Sequence, residues 1–172
     1  MSLVPKFVRW CRRGRRSLRS DAGLGSRFSL SSDDLAAAEL LLVYHIQRRA
    51  FGADIEGLLA GGVDSPQTRK EARKLSPQLA PLCPFLDGQG LLRCGGRLAR
   101  AEGLAYDEQF PLILPRGDTD VDALILMTHA EACHAEVEYV LGELRRRFWI
   151  VSGRQSVLAD VDVLGCGIHR ES

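Results

Sequence analysis

Two histidines five residues apart, His129 and His134, are followed about thirty residues later by Cys166-Gly-Ile-His169, a cysteine and a histidine three apart. Imidazole nitrogen and thiolate sulfur are the ligands Zn²⁺ takes four at a time in a tetrahedron. One close pair followed by a distant close pair suits a metal that ties together the ends of separate helices. With all four positions supplied by side chains, no place is left for substrate or water, so such a site is structural rather than catalytic. The spacing therefore predicts one structural Zn²⁺ per chain, held by His129, His134, Cys166 and His169. No glycine-rich phosphate loop and no Ser-His-Asp or Cys-His arrangement stands out, so no catalytic residue and no bound organic cofactor are expected. Cys133 offers a variant. It lies four residues after His129 and would share its helical face if the helix continued that far, giving a shell of His129, Cys133, Cys166 and His169. A further alternative is chance, since the chain has four histidines and five cysteines to scatter.

Helices must position these residues, and the local pattern supplies them. Asp118 or Thr119 caps a helix with apolar residues at Val121, Leu124 and Ile125, continuing to Thr128. A second helix places Val137, Val140, Leu141, Leu144 and Phe148 on one face, at the i, i+3, i+4, i+7 spacing of a half-buried helix. A third begins after Ser152-Gly153 and is expected to bury Val157, Leu158, Val161 and Leu164. Three short helices with few aromatics make a thin core, which a metal would reinforce.

Upstream the period changes. Phe85-Leu86 and Leu91-Leu92-Arg93-Cys94, separated by Asp87-Gly88-Gln89-Gly90, read as a hairpin. Phe110 to Pro115 reads as a third short strand, bounded by Pro111 and Pro115, which suggests an edge. Earlier still, Ser32-Asp33-Asp34 starts a helix that runs to about Phe51, and Asp54 to Leu59 forms a second that stops at Gly61-Gly62. Leu3 to Cys11 suggests a short amphipathic helix before an arginine cluster. The fold class is α+β and mostly α: N-terminal helices, a small antiparallel sheet and a C-terminal three-helix unit. The expected segments are a basic arm and linker (1–31), a helical segment (32–62), a linker (63–80), a β extension (81–116) and the metal-binding unit (117–172).

The residues around the ligands resemble a known family. The stretch from Leu124 to Arg170 resembles the integrase zinc-binding domain of retroelement Pol polyproteins, with its His-His-Cys-Cys ligand set. Pro84-Phe85-Leu86-Asp87, Gly90-Leu91-Leu92-Arg93, Gly95-Gly96-Arg97-Leu98, Tyr106-Asp107 and Pro111 to Pro115 resemble the segment that precedes this domain in Bel/Pao retrotransposons. Arg147-Phe148-Trp149-Ile150 with Gly153-Arg154 extends the likeness. It implies a zinc fold that supports integrase assembly and contacts to element DNA, and it selects His134 over Cys133 as the second ligand. Two positions depart from the family. His169 stands where a cysteine is usual, and Ala135-Glu136 replaces the small glycine that follows the second histidine. Histidine can serve in a tetrahedral shell, with weaker and more pH-dependent binding, because imidazole must be neutral to bind. The acidic-triad core of the family has no counterpart after His169. The reading is therefore a non-enzymatic Pol fragment, acting at most in assembly or nucleic-acid interaction. The rival is a host nucleic-acid-binding or regulatory protein that retains the zinc module.

Charge bears on partners. Residues 1–20 carry seven basic groups and no acid, whereas the rest of the chain has a net charge of −6. This arm reads either as a nuclear or mitochondrial address or nucleic-acid-attracting patch, or as a solvated linker. Nucleic acid through the arm and self-association are the partner modes, with no membrane and no small-molecule substrate. Arg145-Arg146-Arg147 beside Phe148-Trp149 has the composition of a stacking nucleic-acid element. However, residues 129–172 contain five arginines against seven acids, which favours core aromatics flanked by solvated arginines. Five unpatterned cysteines and the lack of an apolar leader point to a reducing, intracellular location, nucleus or cytoplasm.

Overall fold

The structure, a computed structural model, describes residues 32–61, 74–95, 101 and 103–163. Leu3–Cys11, the basic arm, Val63–Arg73, Gly96–Arg100, Cys166 and His169 lie outside the described residues. The chain divides into two units, Met1–Leu41 and Leu42–Ser172. Everything below concerns the second, apart from the start of the first helix.

Helix α1 spans Ser32–Gly61 and carries Asp33 and Asp34 in its first turn, where the helix dipole favours acids. Its dihedrals leave the helical region at Phe51 (φ −125°, ψ 22°). The break falls where the sequence pattern predicts one helix to end and another to start. Residues 74–83 carry a turn and a short 3₁₀ segment, Ala80–Leu82. Asp54 anchors this stretch by accepting a hydrogen bond from the Ser76 N–H at 2.8 Å. The stretch reads as a polar linker in the sequence, yet Leu79 is fully buried.

Strands β1 (Phe85–Leu86) and β2 (Leu92–Arg93) pair antiparallel, with Phe85 opposite Arg93 and Leu86 opposite Leu92. Asp87 shapes their turn. Its carboxylate accepts from the N–H groups of Gln89 (2.9 Å) and Leu91 (3.0 Å), and Gly90 takes the positive φ of 76° that closes it. A single helical turn, α2 (Tyr106–Gln109), precedes β3 (Leu112–Leu114). Helices α3 (Thr119–Glu131) and α4 (Val137–Arg145) then lead to β4 (Phe148–Ile150), and α5 (Gly153–Val163) follows.

The sheet has four strands in the order β1-β2-β3-β4. Two expectations are corrected here. The sheet is not purely antiparallel, because β4 runs parallel to β3 with Ile113 opposite Trp149. The two intervening helices supply the crossover that a parallel pair needs. Phe148 accordingly leaves the helix face assigned to it and becomes a strand residue, as its aromatic, β-favouring neighbours permit. Nor is β3 an edge. Its prolines sit just outside the paired residues, and the Pro111 carbonyl even accepts from Cys94 N–H at 2.9 Å, so no needed donor is missing.

Alternation along the strands divides two faces. Ile113, Leu86, Leu92 and Cys94 pack with Phe51, Ile55, Leu58 and Leu79, joined by Trp149 and Val151. Gln47 binds this layer to the sheet while only 1% exposed. Its Nε2 donates to the carbonyls of Leu92 (2.8 Å) and Ile113 (2.9 Å), and its Oε1 accepts from the Leu92 N–H (2.7 Å). On the other side Leu112, Leu114, Phe148 and Ile150 are buried, and α3, α4 and α5 pack against one another. Because β4 belongs to this sheet, one sheet joins the β extension to the C-terminal helices. The expectation for α5 is corrected in part. Val157 is buried, but Leu158 is 37% exposed and Ser156 lies inside instead. No described helix is long and apolar enough to cross a membrane.

Candidate metal centre

His129 and His134 meet because of how α3 ends. The helix starts on Asp118, whose carboxylate accepts from Asp120 N–H at 3.0 Å, and Arg49 pairs with Asp118 and, at 3.5 Å, with Asp120. At the other end His134 N–H donates to the His129 carbonyl (3.0 Å) and Cys133 N–H to the Ala130 carbonyl (3.2 Å). These are the two bonds of a Schellman cap, in which the third-last helical residue and the second residue past the cap bring their side chains together. Here those residues are the two histidines. Their ring centroids lie 4.9 Å apart, edge to face at 70°. The five-residue spacing is thus the spacing of a helix C-cap contact. Cys133 occupies the left-handed position of that cap at φ 54°, normally given to glycine, and His134 follows at φ 61°.

The helix stops at Glu131. Cys133 therefore does not continue on the helical face of His129, the geometry on which its candidacy depended, and it is exposed.

His129 is 1% exposed, and among the described residues neither Nδ1 nor Nε2 has a hydrogen-bond partner. Burial holds its pKa below the ordinary imidazole value, and the neighbouring His134 adds to this. The backbone of Ala135 works weakly the other way, without the geometry of a hydrogen bond. A neutral, buried imidazole with unused nitrogens is costly as a packing residue and well suited as a ligand. Two imidazoles on one tetrahedral Zn²⁺ at about 2.0–2.1 Å would place their centroids about 5 Å apart. The observed pair fits that requirement. Among the described residues no group of three or more His, Cys, Asp or Glu side chains gathers as a metal site.

The position of α5 bears on the distant pair. Arg116, just before α3, donates to Gln155 near the start of α5 at 2.9 Å. The two helices pack side by side. Cys166 and His169 follow α5 in sequence, outside the described residues.

Other residues singled out in the sequence have structural roles. Arg93 is 6% exposed and gathers Asp87 (2.6 Å), Asp107 (2.9 Å) and the Phe110 carbonyl (2.8 Å), with the Tyr106 ring 4.8 Å away. Asp87, Arg93 and Asp107, from three separate short motifs, thus meet in one ion cluster around the buried Arg93. Phe148 and Trp149 pack inward, with the exposed Arg147 and Arg145 guanidinium groups lying over their rings. Arg146 pairs with Glu108 at 3.1 Å. An inward pair escaped sequence reading altogether. Burial raises the pKa of Asp122 and of Asp160, each pushed further by an acidic neighbour, and Asp160 Oδ2 and Ser156 Oγ are buried without partners. The only sequence signal was Ser156 and Asp160 standing one helical turn apart.

Compared with known protein families, curated proteins and solved structures, the chain gives no match.

Proposed function

We propose that the C-terminal helices form a metal-stapled, non-catalytic module of the integrase zinc-binding kind, within a Bel/Pao-like Pol fragment, serving assembly or nucleic-acid interaction. The observation that carries this reading is His129: a buried imidazole with both nitrogens unused, edge to face with a second imidazole at a capped helix end. His129 and His134 would be two ligands, and Cys166 and His169 would complete the set. Bound Zn²⁺ supplies a crosslink between helix ends and no bond-making chemistry. The protein's own contribution is orientation. The Schellman cap fixes the first two imidazoles, burial favours the neutral form of His129, and α5, which precedes Cys166 and His169 in sequence, packs against α3.

Elemental analysis of the full chain purified without chelator tests this reading. One zinc per chain, reduced by His134→Ala and by Cys166→Ser, is expected. Metal-free protein whose helicity and melting do not respond to added zinc would refute it.

A further inference from the structure

Among the described residues β4 is hydrogen-bonded to β3 alone, and Phe148, Trp149 and Ile150 line a groove. Leu112 N–H donates to the Arg147 carbonyl and Val151 N–H to the Leu114 carbonyl, both at 2.9 Å. In this parallel register Trp149 spends its N–H and C=O on β3, while Phe148 and Ile150 turn theirs to the opposite edge. Among the described residues no backbone group meets them there. An unpaired strand edge presents a row of obligatory donors and acceptors and so templates the pairing of another strand.

The groove along this edge has a volume of about 370 Å³. Leu141 and Leu144 of α4 give it an apolar wall, and the start of α5 closes its far end. Its rim is cationic. Arg145 is exposed, rests over Trp149 with its guanidinium 5.4 Å from the ring centroid, and has no acidic partner among the described residues. The first α5 turn closes with Gln155 N–H on the Ser152 carbonyl, and the N–H groups of Gly153 and Arg154 meet no backbone acceptor among the described residues at the positive end of the helix.

We infer that this groove takes an extended peptide segment of a protein partner, which adds to β4 as a further strand and directs a carboxylate side chain toward Arg145 and the start of α5. The backbone requirement selects a peptide. Donors and acceptors alternate along the β4 edge, and only another strand presents the matching alternation. A phosphate chain offers acceptors alone. The rim selects an acidic side chain.

The test uses the full chain labelled with ¹⁵N and a short synthetic peptide alternating valine and threonine around a central glutamate. Saturable protection of the Phe148 and Ile150 amides from hydrogen exchange is expected. The glutamine version should bind about two- to fivefold more weakly, the range of an exposed ion pair. Arg145→Gln should remove that difference while leaving the protection intact. A peptide N-methylated on alternate amides should lose binding, and this arm leaves the protein unaltered. Equal binding of the N-methylated peptide, or absence of protection up to the solubility limit, would overturn strand addition. Protection that grows with protein concentration in the absence of peptide would overturn it in favour of self-pairing.

Discussion

Replacing His129 with leucine should change the sign of its effect with metal. In the metal-free protein the imidazole sits 1% exposed with both nitrogens unpartnered. A buried unsatisfied polar group costs about 1–3 kcal/mol. Leucine is of similar volume, and such swaps cost less than about 1.5 kcal/mol in packing. His129→Leu should therefore stabilise the chelated protein by about 1 kcal/mol, raising Tm by about 2–4 °C for a domain of this size. With zinc at about a hundredfold over Kd, metal binding contributes about 2.7 kcal/mol to the wild-type chain. The variant forfeits this, so it should melt below wild type. Circular dichroism melts at neutral pH, in chelator and in excess zinc, give both comparisons. Acid supplies a second check. The folded pKa of His129 is lowered, so the unfolded chain binds the proton more readily, and chelated wild type should lose stability as pH falls through the ordinary value of 6.5 toward the lower folded value. The leucine variant should lack that component. A variant destabilised equally with and without zinc would show that the imidazole is satisfied as a packing group. One stabilised equally in both would show that zinc does not use it.

Cys133→Gly relieves a left-handed residue at φ 54° and should stabilise the chain by about 1 kcal/mol in urea titration, without lowering zinc content. A drop in zinc content would return Cys133 to the ligand set. Asp160→Asn should raise stability at neutral pH. The folded Asp160 pKa is raised by burial first and Asp122 second, so its protonated form is favoured in the fold. The stabilising contribution is complete below the ordinary value of 3.8 and is lost as pH rises through the folded value. The advantage of the variant over wild type should accordingly shrink as pH is lowered, and an advantage independent of pH would refute the assignment.

Local chemistry alone determined a good deal. The Asp87–Gly90 turn, the helix start at Ser32, the break near Phe51 and the faces of α3 and α4 follow from short-range rules of capping, turn preference and periodicity, which the sequence carries within a few residues. The histidine pair was legible for the same reason, since its spacing is that of a helix cap. Tertiary structure decided the rest. Whether Phe148-Trp149-Ile150 ends a helix or forms a strand depended on β3 offering an edge beside it, and flanking prolines could not tell an outer strand from an inner one. Gln47 shows no local sign of binding two strands, because its partners, Leu92 and Ile113, are far away in sequence. Leu79 looked like linker and Leu158 like core, because burial is set by what arrives from elsewhere in the chain. His129 illustrates the division most sharply. The sequence placed it next to His134, but only packing removed water from both its nitrogens and left them without partners, and that loss of solvation is the physical reason to expect a metal there.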